Sequence, residues 1–564
     1  MEVEQIYASQ WVDYSRKIAE SRMVLPFYET HGKARQAFSE KIRNNSGVTY
    51  VFYKRKVPYC FITIEHCEVT NLLMPEFSAV SWSSLFRAIE TFFKRTFQPR
   101  IYLSFFHSLT PYVQEICLKQ GYTIQENKFA SKELTYHTAL VLGGGGARGA
   151  YQVGVWQALK ELAVPIAMIT GTSVGALNGA LILQDDLSAA KEMWEKIETQ
   201  KILSYPNIET SINTFGGIMS QIGSFTLSAI QSKGVSTLPL QKLIEATFSS
   251  EKMNQVTTDF YLVTTELPAL KEKNVHFNSC ENDQWQRWLL ASASFFPAMA
   301  ATKIKDNYYI DGGYRNNIPI DIALRKGATE CIVVDVKGPG ITKPLKRSDD
   351  VSYLTLQTPW SMGAVLLFDG ARSALNIQLG YLETMKAVGR KYLGFWYTFD
   401  ETLTNIKNFQ QAFFTFIQHT YQIKLWRSIE ERNKICNKMR KLYKDRVYTE
   451  NIGLVLVELL AKNSDIPAAE VYTIKELADL LKQRGTSTLD NTKGLAMMSV
   501  QEWLKKYYEE YFLLSEKQQL SAMTNFLATT KQEKSQQLNF LLDKLPIQTL
   551  QILMNEFIEE GVNE

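Results

Sequence analysis

The stretch "LVLGGGGARGAYQVGVW", residues 140–156, places four consecutive glycines and an arginine between an apolar run and a helical pattern. Glycine loses more conformational entropy on folding than any other residue, so such a run marks a place where backbone must approach something closely. Two chemistries ask for that approach: a loop that cradles phosphate, and a loop whose N–H groups stabilise a reaction intermediate. Gly144, Gly146 and Gly149 do fit G-x-G-x-x-G between a strand and a helix, as a dinucleotide site requires. The acidic residue expected at the end of the next strand is missing, however, because that strand runs into "ITGTSVGAL", residues 169–177. A Walker loop would need a Lys-Ser/Thr pair, and none follows. No bound cofactor is expected.

That next strand answers the question. "GTSVG", residues 171–175, is G-x-S-x-G at a strand-to-helix junction, the context in which the motif means a nucleophile elbow. Gly171 and Gly175 remove Cβ atoms that would collide at the sharp turn. Ser173 is then held at the positive end of the helix "VGALNGALIL", where developing negative charge is favoured. In a parallel α/β sheet the loops at the carboxyl ends of neighbouring strands converge. The glycine row, Gly144, Gly145 and Gly146, is therefore expected beside Ser173 as an oxyanion hole, each donor being worth about 3–4 kcal/mol. Arg148 either adds positive charge there or locks the loop.

A serine nucleophile needs a base, and the histidines are poorly placed for it. Three of the six lie in the first 135 residues and one near residue 419, while His137 opens the first strand at the end opposite the loops. His276, in "NVHFNS", is the remaining candidate, and a histidine in a strand pattern reads more readily as structural. The carboxylates offer more. "YYIDGGYRNNIPIDIAL" puts Asp311 at a strand end before Gly312 and Gly313, which allow close approach. A carboxylate bonded to a serine hydroxyl serves as general base when burial raises its pKa. Asp335 is expected to bond neighbouring backbone, and Asp321 to start a helix.

Composition sets the frame. The chain has 564 residues, 45% hydrophobic and 21% charged, enough for several full cores. No run approaches the roughly 18 apolar residues of a spanning helix, and the opening "MEVEQIYASQWVDYSRK" lacks the pattern of a secretory signal. Six scattered cysteines, with no zinc-like spacing, read as thiols of a reducing compartment. A net charge of +4 is too weak to argue for nucleic acid. A cytoplasmic protein is expected, with peripheral contact to the inner membrane surface left open.

Three blocks follow. Residues 1–135 mix strands and helices: "VTYVFYKRKVPYCFITI" reads as two strands, "SSLFRAIETFFKRTF" as an amphipathic helix, then "RIYLSFF" as a strand and "TPYVQEICLKQGY" as a helix closed by Gly121. This order loosely resembles the later half of a coenzyme A-dependent acetyltransferase. "VSWSSL" stands where the glycine-rich turn of such enzymes should be, so an accessory α+β domain is expected. Residues 136–400 alternate strand and helix, with "HTALVL", "VPIAMIT", "DFYLVTT" and "ECIVVDV" as strands buried on both faces of a mostly parallel sheet. Residues 401–564 read as a helical domain, with Thr473 and Glu476 as a capping box.

"GGGARG", "GTSVG" and "DGG", in that order, together with "ASASFFPAM" and "NNIPIDIALRKGATECIVVDV", resemble the patatin-like phospholipase family over about residues 137–340. The resemblance implies a three-layer α/β/α domain and a Ser–Asp dyad in place of a triad. It makes Ser173 the nucleophile, Asp311 the base, and Gly145 and Gly146, with Arg148 nearby, the oxyanion site. It implies hydrolysis of acyl esters of phospholipids, lysophospholipids or neutral lipids through an acyl-serine, without a metal. An acyltransferase with the same dyad, or a regulated module whose helical domain binds a protein partner, stay open beside it. Two further expectations concern access: a flap over residues 212–240, and an interfacial anchor over 409–446. The anchor joins the aromatic "FQQAFFTFIQHTYQI" to a segment with nine Lys/Arg against three Asp/Glu.

Overall fold

The computed structural model describes residues 2–6, 14, 16–18, 21–25, 30–43, 48–54, 56–65, 68–75, 81–104, 111–126, 129–199, 202, 236–296, 298–345, 350–389, 391–425, 435–439, 443, 447, 451–484, 515–529 and 534–561. The chain parts into two compact units, 1–389 and 390–564.

The first unit holds two eight-stranded sheets. The N-terminal sheet contains β1 (Glu2–Ile6), β2 (Ser21–Leu25), β3 (Val48–Lys54), β4 (Val57–Glu65), β5 (Glu68–Pro75), β6 (Arg100–Ser104), β7 (Thr123–Gln125) and β8 (Phe129–Glu133). Its order is β1-β3-β4-β5-β6-β8-β7, with β2 beside β5. Only β5 and β6 run parallel, over two residue pairs. The expected strand–strand–helix–strand–helix order is present, with β5 added before the first of those helices and the β7–β8 hairpin after the second. Helices α2 (Trp82–Lys94) and α3 (Pro111–Lys119) bury Leu85, Phe86, Ile89, Phe93, Ile116 and Cys117 on one face. Phe38 of α1 (His31–Arg43) packs with Val51, Phe61 and Leu73 on the other.

The second sheet contains β9 (Thr138–Leu142), β10 (Met168–Thr172), β11 (Asp259–Leu267), β12 (Lys271–His276), β13 (Thr302–Ile304), β14 (Asn307–Asp311), β15 (Glu330–Val334) and β16 (Ser352–Leu356). Its order is β13-β14-β11-β10-β9-β15-β16, and β11, β10, β9, β15 and β16 are all parallel. Every residue of β9, β10 and β15 is buried, as expected of central strands covered on both faces. Connecting helices are α4 (Ala150–Glu161), α5 (Val174–Leu183), α6 (Leu187–Glu195), α7 (Leu238–Thr247), α8 (Trp285–Ser292), α9 (Ile320–Arg325) and α10 (Gly370–Ala387). Ala323 of α9 covers Ala139, Val141, Cys331 and Val333 on one face. The alternate residues Leu140, Leu142, Ile332 and Val334 are buried on the opposite face, where α5 lies along β9 and β10. This is a three-layer α/β/α domain.

One register detail places the site. β12 lines one edge of β11 from Tyr261 to Glu266. β10, against Asp259–Val263, and β14, against Thr264–Leu267, therefore share the other edge end to end. β10 runs with β11 and β14 runs against it, so their carboxyl ends face each other.

Among its described residues, the regular structure of the second unit is helical apart from a two-residue parallel pair, Thr398–Phe399 with Val471–Tyr472. Thr473 and Glu476 form the expected capping box: Glu476 accepts from the Thr473 N–H at 2.7 Å, and Thr473 Oγ1 from the Glu476 N–H at 3.1 Å. In the helix Leu403–Tyr421, Phe409 and Phe413 are buried, and both pack at an angle against Phe557, with centroids 5.7 Å apart in each case. The aromatic half of the expected anchor is thus occupied in packing. Most of its basic half and residues 212–235 of the expected flap lie outside the described residues. Among the described residues no helix is long and apolar enough to cross a membrane.

Candidate active site

Ser173 sits between β10 and α5 with φ 55° and ψ −125°, a left-handed conformation that costs a non-glycine residue about 1–3 kcal/mol. Neighbours hold it there. Its N–H donates to Ser292 Oγ at 3.0 Å, and Ser292 Oγ donates to the Val263 carbonyl at 2.7 Å. A Cβ on Gly175 would stand 2.2 Å from the Leu142 carbonyl oxygen, so the elbow closes only with glycine at that position.

Asp311 ends β14, and the end-to-end meeting of β10 and β14 brings it to Ser173. It is 4% exposed. Its Oδ1 accepts the Gly313 N–H at 2.7 Å. Burial pushes its pKa up to about 6, with hydrogen bonds from the Ser173 hydroxyl and the Gly313 N–H opposing that rise. The group is a carboxylate at neutral pH and still basic enough to take a proton.

The glycine run divides into two functions. The Gly144 N–H donates to the Asn317 carbonyl at 3.1 Å, and Asn317 Nδ2 donates back to the Gly144 carbonyl and to that of Gly338, both at 3.3 Å. Arg148 donates to the carbonyls of Gly363 at 2.8 Å and Lys337 at 2.5 Å. The Gly144 N–H, expected as an oxyanion donor, is thus engaged within the loop, and Arg148 holds the loop through Nε and Nη1, the second of the two roles open to it. Among the described residues the Gly145 and Gly146 N–H groups meet no acceptor. Gly146 has φ +54°, and a Cβ there would meet the Val365 carbonyl at 2.2 Å.

Gly145, Gly146, Ser173 and Asp311 line one cleft, with Gly313 and Asn317 beside them. It encloses about 1050 Å³, open solvent at its mouth included. Its walls are apolar: Leu177, Leu181, Trp194, Ile244, Phe248 and Phe295 are among them. Gly149, Gly171 and Gly312 pack behind it, each where a Cβ would meet Val174, Gly175 or Val263 within 2.5 Å.

His276 is elsewhere. Its ring nitrogens bond Asp259 at 2.9 Å and Ser279 at 2.5 Å, its ring stacks on Tyr261, and β11 separates its strand from β10. Asp335 accepts the Lys337 N–H at 2.8 Å, and Asp321 stands in the first turn of α9, bonded to Asn316 at 2.7 Å. Among the described residues no group of three or more His, Cys, Asp or Glu is placed to hold a metal ion. Asn317 and Ser292 escaped the sequence reading. The available signals were two adjacent asparagines after "DGG" and a serine within the apolar "WLLASAS".

A strained serine at a strand–helix elbow, a buried aspartate and two open glycine N–H groups thus share one apolar cleft. Residues 140–324 match the model of the family described as patatin-like phospholipase, and this segment is a patatin-like phospholipase domain. Patatin-like phospholipase domain-containing protein 7 of Rattus norvegicus is 31% identical over 210 residues, 35% of this chain and 13% of the relative. Lysophospholipase NTE1 of Coccidioides immitis is 28% identical over 255 residues, 44% of this chain and 15% of the relative. The chain therefore spans only about a seventh of the length of these relatives. The solved structure of VipD from Legionella pneumophila aligns over 78% of this chain and 95% of that one, at 13% identity and a TM-score of 0.30, too low to support a common fold.

Proposed function

We propose that this domain is a lipid acyl hydrolase that cleaves carboxylic esters of phospholipids or lysophospholipids through Ser173 and Asp311. One observation carries the reading: Ser173 faces a buried carboxylate whose pKa stands near 6, beside two glycine N–H groups without acceptors. The apolar walls suit an acyl chain, and relatives named as phospholipase-domain proteins and a lysophospholipase point to the same substrate class.

Asp311 accepts the Ser173 hydroxyl proton as Oγ attacks the ester carbonyl. Negative charge develops on the carbonyl oxygen, towards which Gly145 and Gly146 donate. The tetrahedral adduct collapses to an acyl-serine, and Asp311 returns the proton to the departing alcohol oxygen. Water then attacks the acyl-serine while Asp311 takes its proton. That proton goes to Ser173 Oγ as the fatty acid leaves. Gly144, Asn317 and Arg148 fix the loop that supplies the donors.

The test is hydrolysis of a panel of phospholipids and lysophospholipids by the wild-type protein and Ser173→Ala, with and without an added lysolipid acceptor. Fatty acid released by wild type alone supports the proposal. Acyl transfer to the acceptor without free fatty acid would make the protein a transferase, and equal activity in Ser173→Ala would remove the nucleophile.

A further inference from the structure

Behind the glycine loop runs a chain of side-chain hydrogen bonds that the mechanism above does not use. The Trp194 indole N–H donates to Asn178 Oδ1 at 3.1 Å. Asn178 Nδ2 donates to Gln152 Oε1 at 2.8 Å and to the Gly149 carbonyl at 2.9 Å. Gln152 Nε2 donates to the Gly143 carbonyl at 2.7 Å. An indole is only a donor, so Trp194 fixes which end of the Asn178 amide faces it, and that choice fixes Gln152 in turn. Both amides are buried, at 0% exposure for Gln152 and 1% for Asn178. The anchored carbonyls, Gly143 and Gly149, bracket the two open donors at Gly145 and Gly146.

The other end of the chain reaches the cleft. Trp194 and Phe368 both form its wall and stack on each other, with centroids 6.4 Å apart and planes at 20°. Three residues before Phe368, the Val365 carbonyl accepts the Ala147 N–H at 2.7 Å, directly against the loop. The cleft wall thus touches the glycine loop by two routes, one through the amides and one through Val365.

We propose that Gln152 and Asn178 are positioning residues for the oxyanion loop, and that Trp194 couples their hold to the acyl chain lying in the cleft. The proposal rests on the hydrolase reading for its kinetic consequence and on geometry alone for the hold on the loop. Small displacements of a reacting group cost about 100-fold in rate, so loosening the loop lowers turnover while leaving substrate binding by the apolar walls unchanged.

The experiment has two arms. In the first, hydrogen exchange is followed by mass spectrometry in peptides covering residues 143–149, without substrate, for wild type, Gln152→Leu and Asn178→Leu. Faster exchange confined to that loop is expected in both variants. If Asn178→Leu does not fold, Gln152→Leu leaves the Trp194–Asn178–Gly149 bonds in place and carries the same test. In the second arm, kcat and KM are measured per Ser173 titrated with a fluorophosphonate, on butanoyl and palmitoyl esters. The amide variants are expected to lose about 100-fold in kcat with KM within twofold. Trp194→Phe, which removes the donor to Asn178, is expected to lower kcat on both esters, and by a larger factor on the palmitoyl than on the butanoyl ester. Unchanged loop exchange, kcat within threefold of wild type, or equal effects of Trp194→Phe on both esters would overturn the proposal. A wild-type protein without esterase activity would overturn the hydrolase reading instead, and the exchange arm would still decide the hold on the loop.

Discussion

The two ends of the catalytic sheet each bury a carboxylate, and they treat it in opposite ways. At the amino end, Glu330 of β15 is 2% exposed. It accepts from Lys94 of α2 at 2.8 Å and from the His137 N–H at 3.0 Å. At the carboxyl end, Asp311 is buried almost as fully, yet its partners are a serine hydroxyl and one backbone N–H. A buried charge that is paired and bonded ties a helix of the N-terminal sheet to the second sheet; one left without a cation keeps its basicity. The same end also carries the strained Ser173 and two N–H groups without acceptors. Strain is held at the end where chemistry is proposed, and the buried charge is compensated at the other.

Breaking the carboxyl end is expected to give the largest effect. Ser173→Ala and Asp311→Ala should each lower ester hydrolysis by at least about 10,000-fold with circular dichroism unchanged, while His276→Ala stays near wild type. Activity in Asp311→Ala with loss in His276→Ala would reassign the base. At the amino end, Lys94→Met strands Glu330 and should destabilise the protein by about 3–5 kcal/mol in denaturant unfolding, with kcat per folded molecule unchanged. A kcat that falls in step with stability would mean that the two ends are not separable.

Asp311→Asn sharpens the contrast with a stability gain. The folded-state pKa lies near 6, above the ordinary value of 3.8. Between those values the folded state keeps a proton that the unfolded chain has lost, so stability falls as pH rises from about 4 to 6 and stays lower above. A neutral amide in place of the carboxylate removes that loss. The variant should be more stable than wild type by up to about 3 kcal/mol at pH 8 and by little at pH 4. No difference between the two pH values would remove the buried-charge argument. Gly146→Ala is expected to lower turnover by about 100- to 1,000-fold. Unchanged turnover there would mean that the oxyanion donors lie elsewhere.

The contrast also marks what the sequence could disclose. Ser173, Asp311 and their flanking glycines were legible because a tight turn leaves a local signature: few residues but glycine tolerate those approaches. Asn317 was not, because its bond to Gly144 joins positions more than 170 residues apart. Gly144 and Arg148 were grouped with the oxyanion donors by adjacency, and only the long-range carbonyls of Asn317, Gly363 and Lys337 show them to be engaged. An aromatic stripe at helical spacing, such as that near residue 413, is more often domain core than membrane anchor, and its sequence alone does not say which. Phe557, far along the chain, made it core.

The central claim is that Ser173 is activated by Asp311 without a histidine. Its most direct test is the rate of covalent labelling by a fluorophosphonate as a function of pH, with the modified residue located by mass spectrometry. The account predicts labelling at Ser173, a rate that rises tenfold per pH unit below about 6 and levels above it, near-complete loss in Asp311→Asn, and no change in His276→Gln. Labelling at another residue, or a pH profile that survives in Asp311→Asn and disappears in His276→Gln, would contradict it.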